Sequence, residues 1–157
     1  MTVGLLVVED TPASEDIRAL IDANVRDNYE TSPADSVHVF DAAALGSPYV
    51  TLWSARDAAT RTLLGIGAIA RLTATSVELK SMRTVEEARG RGVASQIVRT
   101  IRDVCRERGI EVIFLETGVE DFFAPARAMY AKLGFVECGP FGDYVEDSNT
   151  VFMTLRV

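Results

Sequence analysis

Short, strand-length apolar runs alternate along the chain with stretches whose apolar positions recur every three or four residues. Val3–Val8 is almost wholly apolar and predicts a strand. Asp10-Thr11-Pro12 reads as a helix start, with a capping-type residue and a proline near the first turn. Ile17, Leu20, Ile21 and Val25 then follow a helical period. The polar segment Asn28–Ser36 contains Pro33 and reads as a loop, and a short helix is expected from about Val37 to Leu45. Tyr49–Ala55, Thr62–Leu72 and Ser76–Val85 predict three strands, with a turn over Arg56–Arg61, and their spacing suggests an antiparallel meander. Val93, Ile97, Ile101 and Val104 make one apolar helical face, with Arg106 and Arg108 in the last turn and Gly109 as the stop. Glu111–Thr117 predicts a buried strand, and Ala124–Leu133 a helix halted by Gly134. Phe135–Cys138 and Thr150–Val157 are the last strands. No repeat, linker or low-complexity tract interrupts this order. It fits one mixed α+β domain over residues 1–157.

Composition narrows the class. Of the 157 residues, 48% are apolar and 25% charged, a globular balance. No apolar run approaches the ~18 residues of a spanning helix. "MTVGLLVVED" is too short and too acidic for a signal peptide. Cys105 and Cys138 stand apart, without metal spacing, which suits two packed thiols, no metal site and a cytoplasmic setting. The net charge of −7 argues against nucleic acid or an anionic membrane as partner and is compatible with a cationic substrate.

One stretch carries more chemistry than the rest. In "EARGRGVASQIV", two arginines and two glycines stand immediately before an amphipathic helix. A helix N-terminus offers unpaired N–H groups and partial positive charge, and glycines let an anion approach the backbone. Arg89, Gly90, Arg91, Gly92, Val93 and Ala94 therefore read as a phosphate cradle, or else as a glycine turn with solvated arginines. The GxGxxG pattern is not met and no Gly-Lys-Ser/Thr follows, so neither a Rossmann fingerprint nor a P-loop is present.

The order strand, Arg89-x-x-Gly92-x-Ala94, helix, strand, and a helix carrying Tyr130 with Leu133-Gly134-Phe135 resembles the GNAT superfamily of N-acetyltransferases, in its bacterial small-acetyltransferase branch. The resemblance implies a GNAT fold: a mixed, mostly antiparallel sheet of about six to seven strands, about four helices on both faces, and a V-shaped splay between the two parallel central strands. It implies acetyl-CoA as acyl donor. Main-chain groups of Met82, Arg83 and Thr84 would pair with the pantetheine arm, the pyrophosphate would rest on Arg89–Ala94, and an N–H near Met82 or Arg83 would polarise the thioester carbonyl. The sequence departs from the family where many members have a cofactor-contacting Asn seven residues before the Tyr. Phe123 stands there, with Ala126 matching the following Ala.

The resemblance further implies direct acetyl transfer to an amine through a tetrahedral intermediate. Tyr130 matches the general acid, a phenol that can protonate the departing thiolate; its alternative is a packed core tyrosine. Glu78, on the first strand of the V, is the first candidate for the base and Glu116, on the second, the next. A salt bridge to Lys80 or Arg83, or simple solvation, is the alternative for both. His38, the single histidine, and Asp143 and Tyr144 in the loop between the last strands border the expected acceptor site. The acids of that loop favour a cationic amine, whereas Arg83 could hold the carboxylate of an amino acid. Small-molecule amine or amino acid is thus the expected acceptor class, and a homodimer is compatible with this reading. A protein or peptide N-acetyltransferase and a non-catalytic acyl-CoA-binding module are the competing functions.

Overall fold

In the computed structural model, which describes residues 4–157, the chain runs β1 (Leu5–Asp10), α1 (Glu15–Thr31), α2 (Ala42–Leu45), β2 (Val50–Asp57), β3 (Leu63–Arg71), β4 (Ser76–Thr84), α3 (Val93–Glu107), β5 (Val112–Gly118), α4 (Ala124–Lys132), β6 (Val136–Cys138) and β7 (Thr150–Arg156). Val3, the predicted start of the first strand, lies outside the described residues. The seven strands form one sheet in the order β1-β2-β3-β4-β5-β7-β6. All neighbours are antiparallel except β4 and β5, which are parallel and joined through α3. No helix among the described residues is long and apolar enough to cross a membrane.

Alternation along the strands feeds two cores. Leu52, Ile66 and Ala68 face α1 and α2, where they bury Ile17, Leu20, Ile21 and Leu45. Trp53, Ile69, Val77 and Leu79 face α3, whose Val93, Ile97, Val98, Ile101 and Cys105 are buried against them. Each of the large aliphatic side chains contributes about 1.5–3 kcal/mol by leaving water. Two glycines of β3 let α3 press close. A Cβ on Gly67 would stand 2.5 Å from Met82 Sδ and 2.7 Å from Ile97 Cγ2.

Two predicted elements differ. Helix α1 continues through Thr31, so Asn28–Thr31, read as loop, is helical. Its buried face passes from Ile17, Leu20 and Ile21 to Asn24, so the apolar period ends while the helix does not. Its N-cap is Ser14 rather than a residue of Asp10–Pro12. The helix expected over Val37–Leu45 is only Ala42–Leu45, capped by Asp41, whose carboxylate accepts from Ala44 N–H at 2.9 Å. Residues 37–41 form no helix, and His38 lies there instead of in a first helical turn.

Candidate active site

The site begins where β4 and β5 part. They pair from Ser76 with Val112 to Leu79 with Leu115 and no further, although β4 continues to Thr84 and β5 to Gly118. A bulge accompanies the parting. Ala68 pairs with Lys80 and Ile66 with Arg83, so β4 carries one more residue than β3 across this interval. Within it Ser81 adopts a left-handed φ of +57°. The extra residue resets the alternation. Glu78 and Lys80 face α1, Met82 turns to the α3 side against Gly67, and Arg83 returns to α1 and pairs with Asp27. Beyond Leu79 the free edge of β4 has no strand partner on the β5 side.

Two cavities open from this wedge. The larger, about 500 Å³, lies between β4 and the start of α3 and α4 and is bordered by Met82, Thr84, Arg89, Gly90, Gly92 and Ala94. Gly90 and Gly92 have φ of +77° and +80°, a region that disfavours other residues, and an added Cβ on either would meet nothing within 4 Å. Gly92 caps α3, no side chain caps its first turn, and no acid lies there. The first amides of α3 therefore face the cavity without a competing anion. An open cradle of backbone N–H groups beside Arg89 fits a pyrophosphate, and the unpaired edge of β4 fits an amide-bearing arm.

The smaller cavity, about 110 Å³, lies on the other side of Met82, between the C-terminal half of α1 and the strands β4 and β5. Glu78 and Lys80 are both buried on its wall. Lys80 Nζ donates to Glu78 Oε2 at 3.2 Å, to the His38 carbonyl at 2.9 Å and to Tyr144 Oη at 3.1 Å. The Phe40 ring covers the same ammonium at 4.2 Å. Tyr144 donates its own hydroxyl to Glu78 Oε2 at 2.6 Å. Burial and the Glu78 charge hold the Tyr144 phenol above its ordinary range.

Glu116, across the cavity on β5, differs from Glu78. Among the described residues none hydrogen-bonds its carboxylate. Burial pushes its pKa up to about 7; Lys80 pulls down, and Glu78 and Asp147 push up. Tyr130 borders both cavities, as do Met82, Asn24, Phe123 and Ala126. The Tyr130 ring is buried and meets Phe135 edge-on at 5.6 Å. Its hydroxyl has no hydrogen-bond partner among the described residues, and burial raises its pKa.

Residues 16–135 match the profile of the acetyltransferase (GNAT) family. The chain belongs to that family. The chain is also similar to an uncharacterized N-acetyltransferase of Bacillus subtilis, YsnE, at 36% identity over 94% of this chain and 97% of the relative. It is 33% identical to an IAA acetyltransferase of Azospirillum brasilense, over 96% of each. A solved Klebsiella pneumoniae structure assigned as an acyl-CoA N-acyltransferase shares the fold at a TM-score of 0.80 and 22% identity, over 98% of each chain. This GNAT protein is thus an acyltransferase, and acetyl-CoA is the acyl donor of its family.

Most residues named from the sequence gather at these two cavities. Met82, Arg83, Thr84, Arg89, Gly90, Gly92, Val93 and Ala94 border the larger one. Glu78, Glu116 and His38 border the smaller, and Tyr144 joins its wall through Lys80 and Glu78. Two do not join. Arg91 is exposed and borders neither cavity, and Asp143 is exposed on its loop. His38 is itself exposed, with its ring edge-on to Tyr144 at 4.9 Å, and contributes its carbonyl to Lys80. Cys138 lies in β6 and borders neither cavity. Sequence reasoning missed Asn24 and Asn28 and gave Lys80 only the part of a salt-bridge partner. An asparagine pair spaced i, i+4 on the buried face of an amphipathic helix was the available signal.

Proposed function

We propose that this acetyltransferase carries the acetyl group of acetyl-CoA directly to the primary amine of a small molecule, with Tyr130 and Glu116 moving the protons. The meeting of the two cavities at Tyr130 carries this reading. Acetyl-CoA would lie in the larger cavity and supply an acyl group activated as a thioester. Gly90, Gly92 and the first amides of α3 would hold its pyrophosphate, with Arg89 adding charge. The free edge of β4 would hold its arm, and the Met82 N–H would polarise the carbonyl. The amine would enter from the smaller cavity. Glu116 takes its proton, and Tyr130 gives its own to the departing sulfur.

Support for Glu116 ahead of Glu78 comes from their partners. Glu78 is held in an ion pair by Lys80 and accepts from Tyr144, so the carboxylate oxygen that would take a proton is already engaged. Among the described residues Glu116 has no such partner, and a pKa near 7 matches a base working at neutral pH. Glu78 then anchors Lys80 and the Tyr144 loop. A smaller cavity of about 110 Å³ supports a compact acceptor over a peptide. Phe123, where other members have Asn, packs at the seam of the two cavities and offers no hydrogen bond there.

The test is thiol release from acetyl-CoA against a panel of amines, amino acids and peptides, with Tyr130→Phe beside the wild type. Small amines should be turned over in preference to peptides. Tyr130→Phe should lower kcat on the order of 10- to 10⁴-fold while CoA affinity holds. Preferential turnover of peptides would overturn the acceptor assignment, and an unaltered kcat would return Tyr130 to packing.

A further inference from the structure

We infer that the acceptor is a compact amine bearing hydroxyl or amide groups and no carboxylate beside the amine, an amino alcohol rather than an α-amino acid. This rests on the small-amine reading above and narrows it. A substrate carboxylate is best held by a fixed cation with a free donor, and the smaller cavity has none: His38, the other basic side chain on its wall, is exposed at the rim with its ring turned edge-on to Tyr144. Lys80 is the ammonium on its wall, and an ammonium has three N–H donors. All three are spent: on Glu78 Oε2, on the His38 carbonyl and on Tyr144 Oη. With Lys80 only 7% exposed, a substrate carboxylate would have to displace one of these partners from a buried ammonium. The next cation, Arg83, borders the larger cavity and not the smaller; one terminal nitrogen pairs with Asp27 of α1, and its Nε, though without a partner, is buried out of reach of a ligand.

The remaining charge is of the wrong sign for a carboxylate. Glu78 is balanced by Lys80, and Glu116 is unbalanced. Asp147, from the loop before β7, adds a further negative charge felt at Glu116. A carboxylate placed among them meets like charge, which disfavours it on the order of 100-fold. An ammonium meets the opposite situation.

The rest of the wall is neutral and polar. Asn24 and Asn28 of α1 and Ser32 beyond its end line one side, and Ser36 and Asn149 the other. Asn28 Nδ2 donates to the Asn24 carbonyl at 2.8 Å, and Asn149 Nδ2 donates to Ser36 Oγ at 3.4 Å. The hydroxyls, and the amide atoms these bonds leave over, can donate to or accept from neutral hydroxyl or carbonyl groups. Size agrees. A water needs about 10–15 Å³ of such space, so about 110 Å³ admits a group of roughly ten heavy atoms or fewer.

Serinol and serine make the matched test, since they differ by a hydroxymethyl group against a carboxylate at the carbon bearing the amine. Two quantities are read on the full chain. One is kcat/KM for acetyl transfer. The other is calorimetric binding of each compound to the protein saturated with CoA. Serinol should exceed serine on the order of 100-fold in both. Glu78→Gln leaves the Lys80 charge without its counter-ion, and the serinol-to-serine ratio should fall at least several-fold. Tyr144→Phe frees one Lys80 donor and should move the ratio the same way, which keeps the test available if the first variant misfolds. A general structural defect would lower both compounds together. Serine equal to or better than serinol overturns the inference, and so does a ratio unmoved by both variants. If neither compound is acetylated, calorimetry decides. Serinol binding without serine binding supports the inference and removes only the transfer reading, whereas binding of neither overturns the inference itself.

Discussion

Glu116 is a single side chain whose environment makes two measurable demands. Its half-buried carboxyl lies near the charges of Glu78 and Asp147, the pull of Lys80 offsets only part of this, and its pKa rises from 4.5 to about 7. A carboxyl raised in the folded state holds a proton that the unfolded chain has already lost. Between about pH 4.5 and 7 the folded state therefore binds more protons, and its stability falls as pH rises. Above pH 7 the full cost is present, roughly 3–4 kcal/mol for a shift of this size. Glu116→Gln carries no such penalty. Thermal or urea unfolding should show the variant gaining on the wild type as pH rises from 4.5 to 8. An equal gap between them at pH 4.5 and pH 8 would place the carboxylate in a solvated setting. The sequence pointed to Glu116 only as the second acid of a strand pair. Nothing in one dimension shows that Lys80 and Tyr144 take up Glu78 and leave Glu116 without a partner.

The elements that build the site differ in how openly the sequence announced them. Helix α3 was plain, because its apolar face repeats without interruption and both ends carry their signals, Gly92 before and Gly109 after. The meander was equally plain from the spacing of its strands. The second half of α1 was not. Its wall faces a polar cavity, so Asn24 replaces an aliphatic residue on the buried face and the period that marks a helix fades before the helix ends. The bulge in β4 was hidden too, since Ser81 is an ordinary strand residue and only the pairing of Lys80 and Arg83 reveals the extra position. At this scale the cradle before α3 can be tested. Gly92→Val would place a branched side chain at a φ of +80° and project it into open space where the pyrophosphate would rest. Calorimetric titration with CoA should show affinity reduced by tenfold or more, with the wild-type fold kept by circular dichroism. Equal affinity would move the phosphate elsewhere.

Across the whole molecule, one wedge in one sheet creates two compartments of different character. The meander and the α3 crossover hold β4 and β5 together as far as Leu79 and Leu115, and the bulge begins immediately beyond. The parted strands leave a wide cleft on the α3 side and a small, charged one under α1, with Tyr130 and Met82 between them. Bound CoA should accordingly raise the unfolding temperature with its concentration, because only the folded sheet presents the cleft. The measurement that reaches the centre of the account is the pH dependence of kcat/KM for an acetylated amine, taken in the wild type and in Glu116→Gln. The wild type should lose activity below about pH 7 as Glu116 is protonated. The variant should be slower at neutral pH, on the order of 10²- to 10⁴-fold. It should recover as rising pH frees the amine of its own proton. A variant profile superimposable on the wild type would contradict proton transfer to Glu116 on the wall of the smaller cavity.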